Sequence, residues 1–157
     1  MSKTSTANRS KQLGARMTDA KPIDNTDNQI NTQPLEVLIV DRKAEASLLK
    51  LPIQKMKHNT TILENYKEAY KEINEYSFDL IIVDINLPYG NGIDFIKQIR
   101  KSQGFLNVIA MTYNSSRELE KKAREERVIY YMIKPFEVVE LQSILGHILK
   151  KKIKVQE

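Results

Sequence analysis

Leu35-Glu36-Val37-Leu38-Ile39-Val40 is short, β-branched and almost continuously apolar, and three later runs share its character: Leu80-Ile81-Ile82-Val83, Val108-Ile109-Ala110-Met111 and Ile129-Tyr130-Tyr131-Met132-Ile133. A strand with one wet face alternates apolar and polar residues, whereas unbroken apolar runs of this length fit strands covered on both faces. A weaker run, Thr60-Thr61-Ile62-Leu63, suits a sheet edge. Between the runs, apolar residues recur at helical spacing over residues 43–57, 66–75, 92–101 and 137–152, with a charged helical stretch over 115–127. Strand and helix alternating in this way predict a parallel sheet with helices on both faces. Right-handed crossovers then close it as a doubly wound α/β fold. Pro52 lies inside the first helical stretch, where the lost hydrogen bond costs about 3 kcal/mol, so a kink or early helix break is expected.

Residues 1–34 are polar, without a sustained apolar period, and are expected to be a disordered tail ahead of a folded domain over 35–152 and a short C-terminal tail over 153–157. The net charge of +5 comes entirely from the ends: Lys3, Arg9, Lys11, Arg16 and Lys21 against Asp19, Asp24 and Asp27, and Lys150, Lys151, Lys152 and Lys154 against Glu157. A folded nucleic-acid-binding face should carry its own excess charge, so solvated tails are the favoured reading and nucleic acid is not an expected partner. No apolar run approaches the roughly 20 residues of a membrane span, and the polar N-terminus is no signal peptide, so a cytoplasmic location is expected. The chain has no cysteine, which excludes disulfides, thiolate metal sites and cysteine nucleophiles. Glycine-rich nucleotide-binding motifs are absent from the sequence.

In doubly wound folds the functional crevice lies beyond the carboxyl ends of the strands. Asp41-Arg42 follow the first run, Asp84 the third, Thr112 the fourth and Lys134-Pro135 the fifth. Carboxylates, a hydroxyl and an ammonium thus converge on one crevice. The set suits transfer of a phosphoryl group to a carboxylate, because a cation offsets the repulsion between the two anions and the hydroxyl can bind the phosphoryl oxygens afterwards.

Val83-Asp84-Ile85-Asn86-Leu87-Pro88-Tyr89-Gly90-Asn91-Gly92 resembles the acceptor loop of response-regulator receiver domains, and Ile133-Lys134-Pro135-Phe136 resembles their lysine–proline loop. The resemblance covers about residues 35–150 and implies a flavodoxin-like (βα)5 fold with strand order 2-1-3-4-5. It implies that Asp84 accepts phosphate from a sensor histidine kinase or phosphotransfer protein, that Thr112 is the switch hydroxyl, that Lys134 pairs with the acceptor, and that Tyr131 is the aromatic switch residue. Asp41, Asp84 and the Asn86 carbonyl would hold magnesium, and Pro88 and Gly92 would shape the turn into the third helix. The chain would be a two-component signalling module rather than an enzyme, with at most self-catalysed phosphotransfer and dephosphorylation. If nothing follows residue 152, it would signal to a downstream protein by contact through the fourth helix, fifth strand and fifth helix; the identity of that protein and a homodimer both stay open. A small flavodoxin-like or phosphatase-like enzyme is disfavoured, since Asn86 stands where a second acid would be needed.

Two positions depart from the pattern. The family places two adjacent acids after the first strand, but here Arg42 occupies the second acidic position, which weakens the expected magnesium site. Arg42 could point out of the pocket and leave a slow, metal-dependent receiver, replace the metal and leave phosphorylation possible, or form a salt bridge with Asp84 that holds an unphosphorylated domain in one conformation. Tyr113 follows the switch threonine where a small residue is common, and its ring either narrows the entrance or lies outward. His58 and His147, away from the crevice, are expected at ordinary surface or helix positions. The charged stretch Arg117–Arg127 is expected to be a solvated helix with i,i+4 pairs.

Overall fold

The computed structural model describes residues 33–156. Its elements alternate as β1 (Glu36–Val40), α1 (Lys43–Lys55), β2 (Asn59–Leu63), α2 (Tyr66–Glu75), β3 (Leu80–Asp84), α3 (Gly92–Ser102), β4 (Asn107–Thr112), α4 (Arg117–Glu125), β5 (Tyr130–Ile133) and α5 (Val138–Gln156). The strands form one parallel sheet in the order β2-β1-β3-β4-β5. This is the predicted doubly wound, flavodoxin-like architecture, with the weak Thr60–Leu63 run at an edge.

The unbroken apolar runs have a direct cause. Leu38, Val40, Ile81, Val83, Val108 and Ala110 point to one face, where α2, α3 and α4 cover them with Ala69, Ile73, Phe95, Ile96, Ile99 and Ala123. The alternate residues Val37, Ile39, Leu80, Ile82, Ile109 and Met111 face α1 and α5, which contribute Ala46, Leu49, Ile53, Leu141, Ile144 and Leu145. Every residue of the central strand β3 is buried. Each large aliphatic side chain so buried contributes about 1.5–3 kcal/mol of transfer free energy.

Local signals end the helices close to the predicted places. Asn65, Asn91 and Ser116 cap α2, α3 and α4 by accepting backbone N–H groups from Glu68, from Ile93 and Asp94, and from Leu119. Lys57 and Arg127, with φ of 63° and 57°, turn the chain out of α1 and α4 in the left-handed conformation more often taken by glycine. The charged stretch is the solvated helix expected, with Lys122–Glu118 and Arg124–Glu120 pairs at i,i+4.

Three expectations are corrected. Helix α1 runs through Pro52 and ends after Lys55, three residues on, so the proline does not break the helix where it stands. Helix α5 continues to Gln156, through residues read as a tail, and just before them Lys152 pairs with Asp79 (Nζ to Oδ2, 2.9 Å). The tail expected over 1–34 lies outside the described residues, except for exposed Gln33 and Pro34. Among the described residues no helix is long and apolar enough to cross a membrane.

The third correction concerns His58, which is buried rather than on the surface and accepts the Leu35 N–H at Nδ1 (3.2 Å). Burial lowers its pKa, with Asp79 opposing and Lys152 adding to the shift. A histidine depressed in the folded state contributes stability that is present above its unfolded value of about 6.5 and is lost as pH falls through the folded value. Acid titration of the thermal midpoint should therefore show a decline beginning near pH 6.5. His58→Asn, which keeps an acceptor for Leu35 but cannot titrate, should flatten that limb by about 1.4 kcal/mol per unit of depression removed. His147 lies exposed on α5, as expected.

Candidate functional site

Parallel strands all deliver their carboxyl ends to one edge, so residues far apart in the sequence meet there. Asp41 follows β1, Asp84 closes β3, Thr112 closes β4 and Lys134 follows β5. The Lys134 backbone N–H donates to the Thr112 carbonyl (2.8 Å), and the Lys134–Pro135 peptide is cis.

Lys134 lies between the two carboxylates. Its Nζ donates to Asp41 Oδ2 at 2.6 Å and to Asp84 Oδ2 at 2.8 Å. All three residues are buried, Asp41 to 1% exposure and the other two to 8%. Burial opposes the Lys134 charge, but its hydrogen bonds to Asp41 and Asp84 outweigh that and raise its pKa. Burial also pushes the Asp41 carboxyl up, against the pull of Lys134, because one ammonium shared between two carboxylates does not compensate both. The remaining carboxylate oxygens take backbone donors: Asp41 Oδ1 accepts from Arg42 N, and Asp84 Oδ1 from Asn86 N, both at 2.7 Å.

Arg42 points out of the pocket. It is exposed, stands at the N-terminal cap of α1, and among the described residues makes no ion pair. Of the three readings, the outward one describes the structure, and the salt bridge with Asp84 is made by Lys134 instead. Its backbone geometry explains this, since its N–H is turned in to the Asp41 carboxylate while the chain swings outward to start α1. The pocket charge is then that of Asp41 and Asp84 against Lys134, one net negative, rather than zero.

Thr112 is fully buried, and its Oγ1 accepts from Asn86 Nδ2 and from Asn114 N (3.0 Å). These two contacts hold the hydroxyl where it stands. Tyr131 is half-buried, with its hydroxyl 3.0 Å from Ser115 Oγ on the loop leading to α4. Tyr113 is half-exposed and bridges the mouth of the pocket. Its hydroxyl donates to Glu45 Oε2 on α1 (2.9 Å), and its ring centre is 5.0 Å from Lys134 Nζ. Beside it, a cavity of about 160 Å³ runs between α1 and the start of α5, lined by Leu48, Pro52, Phe136 and Val138 with Asp41 and Lys134 among its walls.

Magnesium takes one or two carboxylates and completes its shell with waters and substrate phosphates. Asp41, Asp84 and the Asn86 carbonyl fit that minimum, but among the described residues no group of three acidic, histidine or cysteine side chains could hold a metal on its own. Lys134 also competes for both carboxylates. When bound, the ion would supply neutralisation of phosphoryl oxygen charge.

The sequence reading missed Tyr66. Its buried hydroxyl donates to the Asp84 carbonyl (2.7 Å) and accepts from Leu87 N (3.1 Å), and its ring stacks on Phe95. The one available signal was a tyrosine immediately after the capping Asn65, and hence at the edge of the sheet that carries the crevice. The reason for Gly92 also changes. Its φ is not positive; a Cβ there would lie 2.3 Å from Ile85 Cα.

The sheet order, the crevice and the Asp–Lys–Asp cluster together define a doubly wound α/β domain built around a buried acidic site. The chain belongs to the response regulator receiver domain family, whose model it matches over residues 37–146. It is 28% identical over 109 residues to the DNA-binding transcriptional regulator NtrC of Azospirillum brasilense, covering 69% of this chain and 23% of that protein. It is 26% identical over 112 residues to the transcriptional regulatory protein ZraR of Escherichia coli, covering 71% and 25%. The chain thus spans about a quarter of the length of these relatives. Among solved structures, the receiver domain of the Francisella response regulator 1452 superposes with a TM-score of 0.69 at 28% identity, covering 76% of this chain and 99% of that one. A CheY-like receiver domain protein from Methanospirillum hungatei shares the fold, with a TM-score of 0.73 at 22% identity over 78% of this chain and 98% of that one.

Proposed function

We propose that this receiver domain accepts a phosphoryl group on Asp84 from the phosphohistidine of a sensor kinase or phosphotransfer protein and signals by protein contact. The observation that carries the reading is the buried Lys134 ammonium bonded to Asp84 Oδ2. An Asp84 carboxylate oxygen attacks phosphorus, the P–N bond of the donor breaks, and its electron pair stays on the imidazole nitrogen. Lys134 balances charge that would otherwise repel the incoming phosphate, at a site where low dielectric strengthens that effect. Thr112 Oγ1 accepts from Asn86 and Asn114 and keeps its own hydrogen to donate to a phosphoryl oxygen. In this reading the chain serves as phosphate acceptor rather than as an enzyme that turns over a separate substrate, and a cytoplasmic location suits a kinase partner.

The signalling surface in this reading is α4–β5–α5. Exposed Tyr130, Ile133 and Val139 supply apolar contact there, beside the charged α4. The solved beryllofluoride-activated NtrC4 receiver domain is described as a dimer, at 26% identity to this chain, which supports a homodimer as one mode of contact.

A second reading, an adaptor that works without phosphorylation, is favoured by Arg42 standing where the family carries an acid and by Lys134 already bridging the carboxylates. Acetyl phosphate with and without magnesium separates the two. A phosphoryl group on Asp84 that alkali and hydroxylamine remove, absent from Asp84→Asn because the amide is no nucleophile, supports the acceptor; an unmodified chain at every magnesium concentration leaves the adaptor.

A further inference from the structure

We infer that Tyr66 is a positioning residue for phosphate acceptance, holding the acceptor loop through one buried phenol oxygen; this rests on the reading of Asp84 as acceptor. The hydroxyl uses both of its capacities on the same loop. It donates to the Asp84 carbonyl at 2.7 Å and accepts from the Leu87 N–H at 3.1 Å, so that the two ends of the Asp84–Leu87 segment are tied to a single atom. The residues between those ends are chemically engaged. Asn86 N–H donates to Asp84 Oδ1, and Asn86 Nδ2 donates to Thr112 Oγ1. The clamp therefore acts directly on the acceptor residue's backbone, and through Asn86 on both the acceptor carboxylate and the switch hydroxyl.

The phenol is itself held from two sides. Its ring stacks on Phe95 of α3, with centres 5.1 Å apart and planes 24° from parallel. On its other edge a Cβ at Gly90 would lie 2.6 Å from Tyr66 Cδ2, so the turn closes tightly against the ring. Only 9% of the residue is exposed. Burial pushes the phenol up to about 12, against the Leu87 hydrogen bond, so it remains a donor throughout the neutral range. A tyrosine that served packing alone would need no hydroxyl partners on the loop; phenylalanine would fill the same space.

The test compares the wild-type chain, Tyr66→Phe, Tyr66→Leu and a chain carrying para-aminophenylalanine at position 66, with acetyl phosphate as the probe. Phenylalanine keeps the stack and removes the clamp. Its maximal rate of Asp84 modification should fall roughly tenfold, with half-saturation unchanged within about twofold, as for an interaction felt at the reacting group rather than in donor binding. Its Leu87 amide should exchange faster and shift in the NMR spectrum while the fold is intact. Leucine should lower the melting temperature as well as the rate. Aminophenylalanine, whose amine can still donate to the Asp84 carbonyl, should recover part of the rate. A folded Tyr66→Phe protein with the wild-type maximal rate overturns the inference, as does a rate that only tracks the folded fraction in all variants. A wild-type chain that takes no phosphate overturns the acceptor reading beneath it.

Discussion

Replacing Lys134 with methionine is expected to destabilise the fold by about 3–5 kcal/mol, the cost of leaving a buried charge without its partner, and to slow phosphate acceptance by roughly 10²–10³. The ammonium is bonded to Asp41 at 2.6 Å and to Asp84 at 2.8 Å, and without it two carboxylates share a site from which water is largely excluded. For a domain of this size the stability loss corresponds to a drop of roughly 10–20 °C in melting temperature. The sign of the pH response identifies the cause. In the wild type, the raised Lys134 value contributes stability that is fully present below about 10.5 and is lost as pH rises through the folded value. In the variant, the carboxylates dominate. Asp41, already pushed up by burial, moves further, and a raised acid contributes stability present below its unfolded value and lost as pH rises. Lowering the pH towards 5 should therefore recover part of the deficit, and magnesium should raise the melting temperature of the variant more than that of the wild type. A variant that melts like the wild type at neutral pH would mean that the ammonium is not the cation holding the two carboxylates together.

Gly92→Ala should cost about 3 kcal/mol, at the upper end of what overpacking usually costs. An added Cβ would sit 2.3 Å from Ile85 Cα and 2.7 Å from both Ile85 Cβ and the Ile85 carbonyl oxygen, and backbone cannot rotate away as a side-chain tip can. Gly92 N also donates to the Ile85 carbonyl (3.2 Å), so the start of α3 and the residue after Asp84 are locked together. Relief of the clash has to move the acceptor loop, and a loss of phosphate acceptance should accompany the loss of stability. Gly146, in the interior of α5 with nothing within 4 Å of its added Cβ, is the control, because alanine there should stabilise by about 0.8–1 kcal/mol. Urea titration of the two variants checks both signs. Equal midpoints for Gly92→Ala and the wild type would show that the α3 start yields without strain.

Much of the molecule was legible in the chain. Apolar runs of β-branched residues identified the buried strands, because only a strand covered on both faces dispenses with alternation. Once those strands are parallel, the residue after each one must lie at a common edge, so Asp41, Asp84, Thr112 and Lys134 could be placed together before any coordinate was known. Helix ends were less legible. Pro52 signalled a break, yet α1 continues for three residues beyond it, and the lysines after Leu149 concealed a helix that pairs Lys152 with Asp79.

By itself, then, the sequence determined the sheet, the crevice and the identity of the groups that meet in it, since these follow from periodicity and from the geometry of parallel strands. Only the tertiary structure decided which partner each group takes. It turned Arg42 outward and gave its expected salt bridge to Lys134, buried His58 against Leu35, set Asn86 on Thr112, and brought the Tyr66 hydroxyl to the acceptor loop across 18 residues of chain. These are choices of partner made by packing between elements remote in the chain, which periodicity and local sequence do not encode.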